Sequence, residues 1–213
     1  MKNYLTEFIG TFFLVLTIGF TATTGTPMAP LAIGSALMIM VYMGGPISGA
    51  HYNPAVTLAI MMRGKLGLGE ALRYWASQLL GAFAASVVVY IVLGRTFAPA
   101  PGDGANGFQA LVVEFLYTFA LALVVLNVAT SRKTAGNSYF GLAIGFTIMA
   151  AAFAGGPISG GAFNPAVGTG PILLKAMAGH GSLAHLWIYL VGPLAGGALA
   201  ATVYDFQHRG EAD

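Results

Sequence analysis

The sequence lacks cysteine and has few charged residues. Without cysteine the chain forms no disulfide and offers no thiol nucleophile or thiolate metal ligand. Asp, Glu, Lys and Arg make up 8% of the 213 residues, and 57% are hydrophobic, whereas an average soluble domain is about 25% charged. The net charge of +2 is too small to indicate a nucleic-acid partner. The composition therefore predicts a protein surrounded by membrane lipid, without a separate soluble domain.

Patterns of catalytic and metal-binding residues are also missing. The apolar stretches contain no HExxH motif, no paired aspartates and no Ser/His set, and an enzyme inside the membrane would need such a set. The sequence thus predicts neither an enzyme nor a bound metal or cofactor.

Long hydrophobic runs dominate what the chain does contain. Because a spanning helix needs about 20 apolar residues, these runs predict an all-α membrane protein. The predicted transmembrane helices number six, at about 5–22, 30–43, 69–93, 111–129, 139–154 and 184–204. We assign the chain to a single domain, 1–213, with internal repeats at about 1–100 and 107–213.

A duplicated motif defines the two repeats. The segment GGPISGAHYNPAVT begins at Gly44, GGPISGGAFNPAVG begins at Gly155, and the copies share ten of fourteen positions. The first span of each repeat also carries the pattern Glu-Phe-x-x-Thr-Phe, starting at Glu7 and at Glu114. This similarity indicates an internal duplication that extends beyond the motif.

Each copy of the motif ends in Asn-Pro-Ala. The residues are Asn53, Pro54 and Ala55 in the first copy and Asn164, Pro165 and Ala166 in the second. Asn followed by Pro is typical of a helix start. The apolar run that follows the first copy, 55–62, would rise only about 12 Å, too little to cross about 30 Å of hydrocarbon. We therefore predict two re-entrant half-helices; the alternative, a surface loop with a helical start, is disfavoured by the second copy.

The number of spans per repeat predicts the topology. Three spans in each repeat require the repeats to lie in opposite orientations. With the N-terminus in the cytoplasm, only Arg95 and Lys175 among the 9 Lys and Arg residues lie outside, as the positive-inside rule favours. We expect both termini in the cytoplasm, in a cell or inner membrane, and half-helices whose N-termini meet near the bilayer midplane.

This meeting point has the chemistry of a pore. Each helix N-terminus carries about half an elementary charge, so two facing N-termini repel cations and protons. We expect the Asn53 and Asn164 amides to donate hydrogen bonds to a solute and backbone carbonyls to accept them. The predicted pore-lining backbone belongs to Gly49, Ala50, His51, Gly160 and Ala162. Such donors and acceptors between apolar walls suit small neutral polar solutes.

Three other polar residues allow two interpretations each. Glu7 and Glu114 lie in predicted spans, where an ionisable group is a functional-site hypothesis by default, but each could equally satisfy local backbone donors. For His51, a contribution of the backbone carbonyl is favoured over a titrating side chain.

Together these residues resemble the aquaporin, or major intrinsic protein, family. The resemblance rests on the two Asn-Pro-Ala boxes, on Gly-x-His-x-Asn-Pro-Ala-Val-Thr from Gly49 to Thr57, and on Glu-x-x-Gly-Thr-Phe from Glu7 to Phe12. It implies a right-handed six-helix channel with one pore per protomer, usually in a homotetramer. It also implies that Glu7 and Glu114 support the half-helix segments through buried hydrogen bonds.

The sequence departs from the family pattern at the pore constriction. Most members carry Arg directly after the second Asn-Pro-Ala box, where this chain has Val167. By alignment to the family, the other three constriction positions fall on Ile33, Ala152 and Gly161. We expect this ring to be wider than usual and poor in hydrogen-bond donors.

The expected function is a passive channel for water, with ammonia, hydrogen peroxide, urea and glycerol as further candidate solutes. One alternative is a glycerol-facilitator-type channel with little water flux, although Gly168 replaces the Asp usual in that subfamily. Another is a structural or adhesive membrane protein. A coupled transporter would normally need an ionisable group at the midplane, where we predict only Asn.

Overall fold

Helices account for all the regular structure of the described residues. The computed structural model describes residues 1–210, so the end of the predicted repeat 107–213 lies outside the described residues, which form no strand. The helices are α1 Lys2–Thr24, α2 Ala29–Ser48, α3 Pro54–Met62, α4 Leu68–Leu93, α5 Gly107–Val125, α6 Phe140–Ser159, α7 Pro165–Met177 and α8 Leu186–Gln207. A π-helical turn, Leu126–Thr130, extends α5. Six helices, all except α3 and α7, are long and apolar enough to cross a membrane, which confirms the predicted architecture.

Two spans continue five residues beyond their predicted ends. The predicted ends at 43 and 154 were too early, since α2 continues to Ser48 and α6 to Ser159. Each helix thus includes a proline in its last turn, Pro46 in α2 and Pro157 in α6, and each proline removes one backbone hydrogen bond because it has no N–H. Both end at a left-handed glycine, Gly49 with φ 84° and Gly160 with φ 90°, a conformation that glycine adopts without strain. The Gly-Gly-Pro-Ile-Ser part of the motif is therefore helical, and the irregular backbone begins after it.

The two repeats pack their first and third spans in the same way. In the first repeat, Gly81 of α4 faces the carbonyl oxygen of Phe8 on α1, and in the second, Gly196 of α8 faces that of Phe115 on α5. Neither site leaves space for a Cβ atom. Glycine at these positions lets the helix backbones approach closely, as is common between transmembrane helices.

Replacing Gly81 with alanine is expected to destabilise the protein by about 1–3 kcal/mol, because the added Cβ forces α1 and α4 apart. Gly69 on the same helix has no atom within 4 Å of an added Cβ, so Gly69→Ala is a matched control in which only helix propensity changes. Thermal unfolding in detergent should show a lower midpoint for G81A than for G69A. Equal midpoints would contradict the packing argument.

Candidate functional site

The two half-helices begin as the sequence predicted. Asn53 caps α3 and Asn164 caps α7, and their side-chain oxygens accept the N–H groups of Ala55 at 2.8 Å and Ala166 at 2.9 Å. Pro occupies the first helical turn in both. With 9 and 13 residues, the half-helices rise about 13 and 20 Å, so neither can span the hydrocarbon core.

Each capping Asn side chain also donates a hydrogen bond to a backbone carbonyl of the other repeat. Asn53 Nδ2 donates to the carbonyl of Phe163 at 2.9 Å, and Asn164 Nδ2 donates to the carbonyl of Tyr52 at 2.8 Å. The half-helices therefore meet N-terminus to N-terminus, and their partial positive charges face each other. An amide NH2 group has two hydrogens, so this exchange leaves one N–H of each Asn for another acceptor.

Both acceptor residues have an unusual backbone conformation. Tyr52 and Phe163 adopt φ of 50° and 49°, the left-handed region that residues other than glycine seldom occupy. Both are fully buried. This conformation turns each carbonyl toward the opposite Asn, and surrounding contacts must hold it. Sequence analysis did not identify either residue, since their part of the motif differs between the copies.

Glu7 holds the backbone before the first half-helix. Its buried carboxylate accepts hydrogen bonds from the hydroxyl of Ser48 at 2.7 Å, the backbone N–H groups of His51 at 3.0 Å and Tyr52 at 2.7 Å, and the amide of Gln78 at 2.8 Å. Four donors converge on one side chain, and they belong to three different parts of the fold. The carboxylate thereby ties α1 and α4 to the irregular segment.

Glu114 does the same in the second repeat. It accepts from the Ser159 hydroxyl at 2.7 Å, from the N–H of Ala162 at 3.0 Å and from the N–H of Phe163. These contacts favour the structural interpretation of both carboxylates. Only the Gln78 bond has no counterpart, so the first repeat has one more donor than the second.

Two tyrosines that the sequence analysis missed complete the frame. The hydroxyl of Tyr74 on α4 donates to the Ser48 carbonyl at 2.8 Å, and that of Tyr189 on α8 donates to the Ser159 carbonyl at 2.6 Å. Both rings are buried and close the last turns of α2 and α6. When α4 and α8 are aligned on Gly81 and Gly196, Tyr74 and Tyr189 fall at the same position. This repeated tyrosine is a signal that the sequence contains.

A narrow cavity passes the facing half-helices. Its volume is about 30 Å³, which gives room for about two water molecules. The lining residues with polar side chains are His51, Tyr52, Asn53 and Asn164, and the Tyr52 hydroxyl already donates to the Met40 carbonyl. The apolar wall comprises Leu14, Ile18, Ile33, Leu37, Val56, Leu121, Val125, Ile144, Ile148 and Val167. A solute in this central cavity therefore meets few hydrogen-bonding groups, all of them near the two caps.

Most of the predicted pore residues lie against this space. Ile33, Gly161 and Val167 of the predicted constriction line the central cavity, as do Ala50, His51 and Ala162 of the predicted backbone wall. Gly49 and Gly160 line the adjoining cavities instead. Ala152 lines neither the central cavity nor these two adjoining cavities. Its side chain is only a methyl group, whereas the longer side chains of Ile144 and Ile148 on the same helix reach the central cavity.

Larger cavities adjoin the central one at both ends. A cavity of about 70 Å³ shares Ile18, Gly161 and Val167 with it. At the other end a cavity of about 420 Å³ shares Ile144 and opens at the 131–137 loop. Among the described residues, no Asp or Glu side chain lines these three cavities. A path that narrows at the half-helices and avoids acidic groups suits neutral solutes.

Six apolar spans and two facing half-helices around such a path define a membrane channel built from an inverted repeat. The model of the family described as "Major intrinsic protein" matches residues 1–204. The chain belongs to this family, whose members are channels for small neutral solutes and not enzymes.

Relatives named as an aquaporin and as a glycerol facilitator are both similar to the chain along nearly its whole length. "Aquaporin NIP1-4" of Oryza sativa subsp. japonica is 40% identical, over 96% of this chain and 76% of the relative. "Glycerol uptake facilitator protein-like 6" of Lactiplantibacillus plantarum is 37% identical, over 94% and 95%. The solved structure of the aquaglyceroporin from Plasmodium falciparum superposes with a TM-score of 0.86 at 26% identity, covering 96% and 95% of the two chains.

Proposed function

We propose that the protein is a passive channel for water and other small neutral solutes. The observation that carries this proposal is the pair of Asn caps, each with one N–H left over, beside a narrow and otherwise apolar cavity. A neutral solute can exchange its hydration for these donors, whereas a cation meets two facing helix N-termini.

The absence of an arginine at the constriction widens the range of candidate solutes. Val167 and Gly161 present no hydrogen-bond donor from their side chains, so nothing there binds a particular solute tightly. The small central volume favours water, ammonia and hydrogen peroxide. Urea and glycerol would require the isoleucine side chains at its wall to move. Relatives named as aquaporins and as a glycerol facilitator support testing both classes.

The assembly and orientation are part of the same proposal. We place both termini in the cytoplasm, because the loops on that side would carry most of the Lys and Arg residues. A homotetramer with one pore per protomer is proposed from the family resemblance. Surface labelling of single cysteines, introduced into this cysteine-free chain at Gly104 or Gly136, would determine the orientation.

Stopped-flow light scattering of proteoliposomes tests the solute list. Gradients of sucrose, glycerol, urea and ammonia, with a separate peroxide-uptake assay, would give one rate for each solute. Water permeability well above that of empty liposomes supports the proposal. Glycerol flux without water flux would instead indicate a facilitator, and rates equal to those of empty liposomes for every solute would indicate a structural protein.

Removing either cap amide is expected to raise proton flux. Without a constriction arginine, cation exclusion depends on the half-helix dipoles and the two Asn donors. Losing one donor lowers the barrier by about 0.5–1.5 kcal/mol, which corresponds to about a two- to thirteenfold rise in proton leak for Asn53→Ala or Asn164→Ala. Asn106→Ala is the matched control, since Asn106 caps α5 away from the cavity. The measurement uses a pH-sensitive dye in vesicles; flux unchanged in both variants would contradict the prediction.

A further inference from the structure

We propose that His51 is fixed as the neutral tautomer that carries its hydrogen on Nδ1, so that Nε2 serves as a hydrogen-bond acceptor for solutes in the central cavity. This inference rests on the proposed channel function and adds a specificity-determining residue to it. A series of buried hydrogen bonds runs from Glu7 through Gln78 and Thr57 to the imidazole ring.

The first step fixes the amide of Gln78. Glu7 Oε2 already accepts the backbone N–H of Tyr52 at 2.7 Å. Because four donors converge on this side chain, we assign it as the ionised carboxylate, which has no hydrogen to donate. The group of Gln78 that lies 2.8 Å from this oxygen must therefore be the NH2 group. The opposite amide orientation would set two acceptor oxygens against each other. Gln78 is fully buried and its Oε1 has no partner among the described residues.

The second step assigns the hydrogen of Thr57. The second N–H of Gln78 donates to Thr57 Oγ1 at 2.9 Å, which uses one lone pair of the hydroxyl. The same oxygen lies 3.1 Å from the Asn53 carbonyl, which can only accept, so the single hydroxyl hydrogen goes there. Thr57 Oγ1 then has one lone pair left to accept a hydrogen bond and no further hydrogen to donate.

The third step assigns the imidazole. Nδ1 of His51 lies 3.1 Å from Thr57 Oγ1, and that oxygen can only accept, so Nδ1 must carry a hydrogen. In a neutral imidazole the other nitrogen is then an acceptor. A Cβ added at Gly49 would lie 3.3 Å from Nε2, so Nε2 faces the glycine that lines the 420 Å³ cavity.

This acceptor complements the two Asn donors. His51 lines the central cavity, and Gly49, which Nε2 faces, lines the larger one. A water, peroxide or ammonia molecule that leaves the Asn N–H groups can donate one of its own hydrogens to Nε2. The alternating donors and acceptor favour solutes that can both accept and donate hydrogen bonds.

The second repeat keeps the carboxylate but lacks the counterparts of Gln78, Thr57 and His51 in this series of hydrogen bonds. Ala162 occupies the position of His51 and Gly168 that of Thr57 in the duplicated motif. Alignment of Tyr74 with Tyr189 places Pro193 at the position of Gln78. The array is therefore not required by the shared fold, and its residues occur in one half of the pore only.

Solid-state NMR of the full-length protein in liposomes tests the tautomer directly. Isotope-labelled histidine gives distinct nitrogen shifts for protonated and unprotonated ring nitrogens, and a His51→Gln spectrum identifies the His51 signals among the 4 histidines. We expect a protonated Nδ1 and an unprotonated Nε2 in the unmodified protein and in Thr57→Ser. We expect this pattern to be lost in Thr57→Val. A protonated Nε2 in the unmodified protein, or an unchanged pattern in T57V, would overturn the proposal.

Permeability supplies the second measurement. We expect T57V to lower water permeability about three- to tenfold through loss of the oriented acceptor, and T57S to restore it. Thr202→Val is the matched control, because the Thr202 hydroxyl is exposed on α8 and bonds only its own helix. Equal permeability of T57V and T202V would overturn the functional part. Unmodified protein that conducts no better than empty liposomes would refute the channel function itself, while the NMR result would still stand.

Discussion

Glu7→Ala is expected to abolish the folded channel. Four donors from Ser48, the 51–52 backbone and Gln78 would lose their only buried acceptor, and each orphaned group costs about 1–3 kcal/mol. The sum, about 4 kcal/mol or more, is a large fraction of the roughly 5–15 kcal/mol that stabilises an ordinary protein. We expect loss of water permeability together with a collapse of the thermal unfolding midpoint in detergent.

Two further variants provide stability losses with which that of E7A can be compared. Glu114→Ala should be less severe than E7A, because Glu114 accepts hydrogen bonds from three donors, one fewer than Glu7. Glu70, in the first turn of α4, interacts with the helix dipole and with the charge of Arg73 on the same helix. Both are surface effects of a few tenths of a kcal/mol, so Glu70→Ala should cost less than about 1 kcal/mol. If E7A unfolded at the same temperature as E70A, the carboxylate would not hold the segment before α3.

Val167→Arg is expected to close the pore to solutes larger than water. Val167 is buried and borders both the central cavity and the 70 Å³ cavity, and a guanidinium group there would fill much of the small space that remains. Its charge would add a second barrier to cations. We expect uptake of hydrogen peroxide, and of any urea or glycerol that the unmodified protein conducts, to fall to the level of empty liposomes. Proton leak should fall as well, in the dye assay.

A neutral variant separates size from charge. Val167→Met adds volume without charge, so it should reduce uptake of the larger solutes but leave proton leak near that of the unmodified protein. Uptake of larger solutes that is unaffected by V167R, in protein that still assembles, would contradict the size argument.

The sequence was sufficient for the architecture because its signals are local and repeated. Six apolar runs, the Asn-Pro starts at Asn53 and Asn164, and the duplication each predict an element without knowledge of its neighbours. The structure agrees on the number of spanning helices and on both half-helix starts. The ends of the helices were harder to predict, because Pro46 and Pro157 are typical of helix breaks but lie inside α2 and α6.

The remaining features depend on contacts between distant residues. No local signal shows that the carbonyls of Tyr52 and Phe163 are the acceptors of the Asn caps, because each contact joins residues more than a hundred positions apart. The chain from Glu7 through Gln78 to His51 likewise brings together α1, α4 and the loop before α3. For Ala152, the alignment identified the helix that faces the pore, but the length of the side chains determines which residues of that helix reach the cavity.

The reciprocal bonds of the two Asn caps have a consequence for assembly. The same residue type meets the same backbone position on both sides, which is the self-complementary contact found between identical subunits related by a two-fold axis. Two copies of a chain of half this length, inserted in opposite orientations, could close the same pore. Joining the halves in one chain fixes their ratio at one to one. It also frees them to differ, as His51 and Thr57 now differ from Ala162 and Gly168.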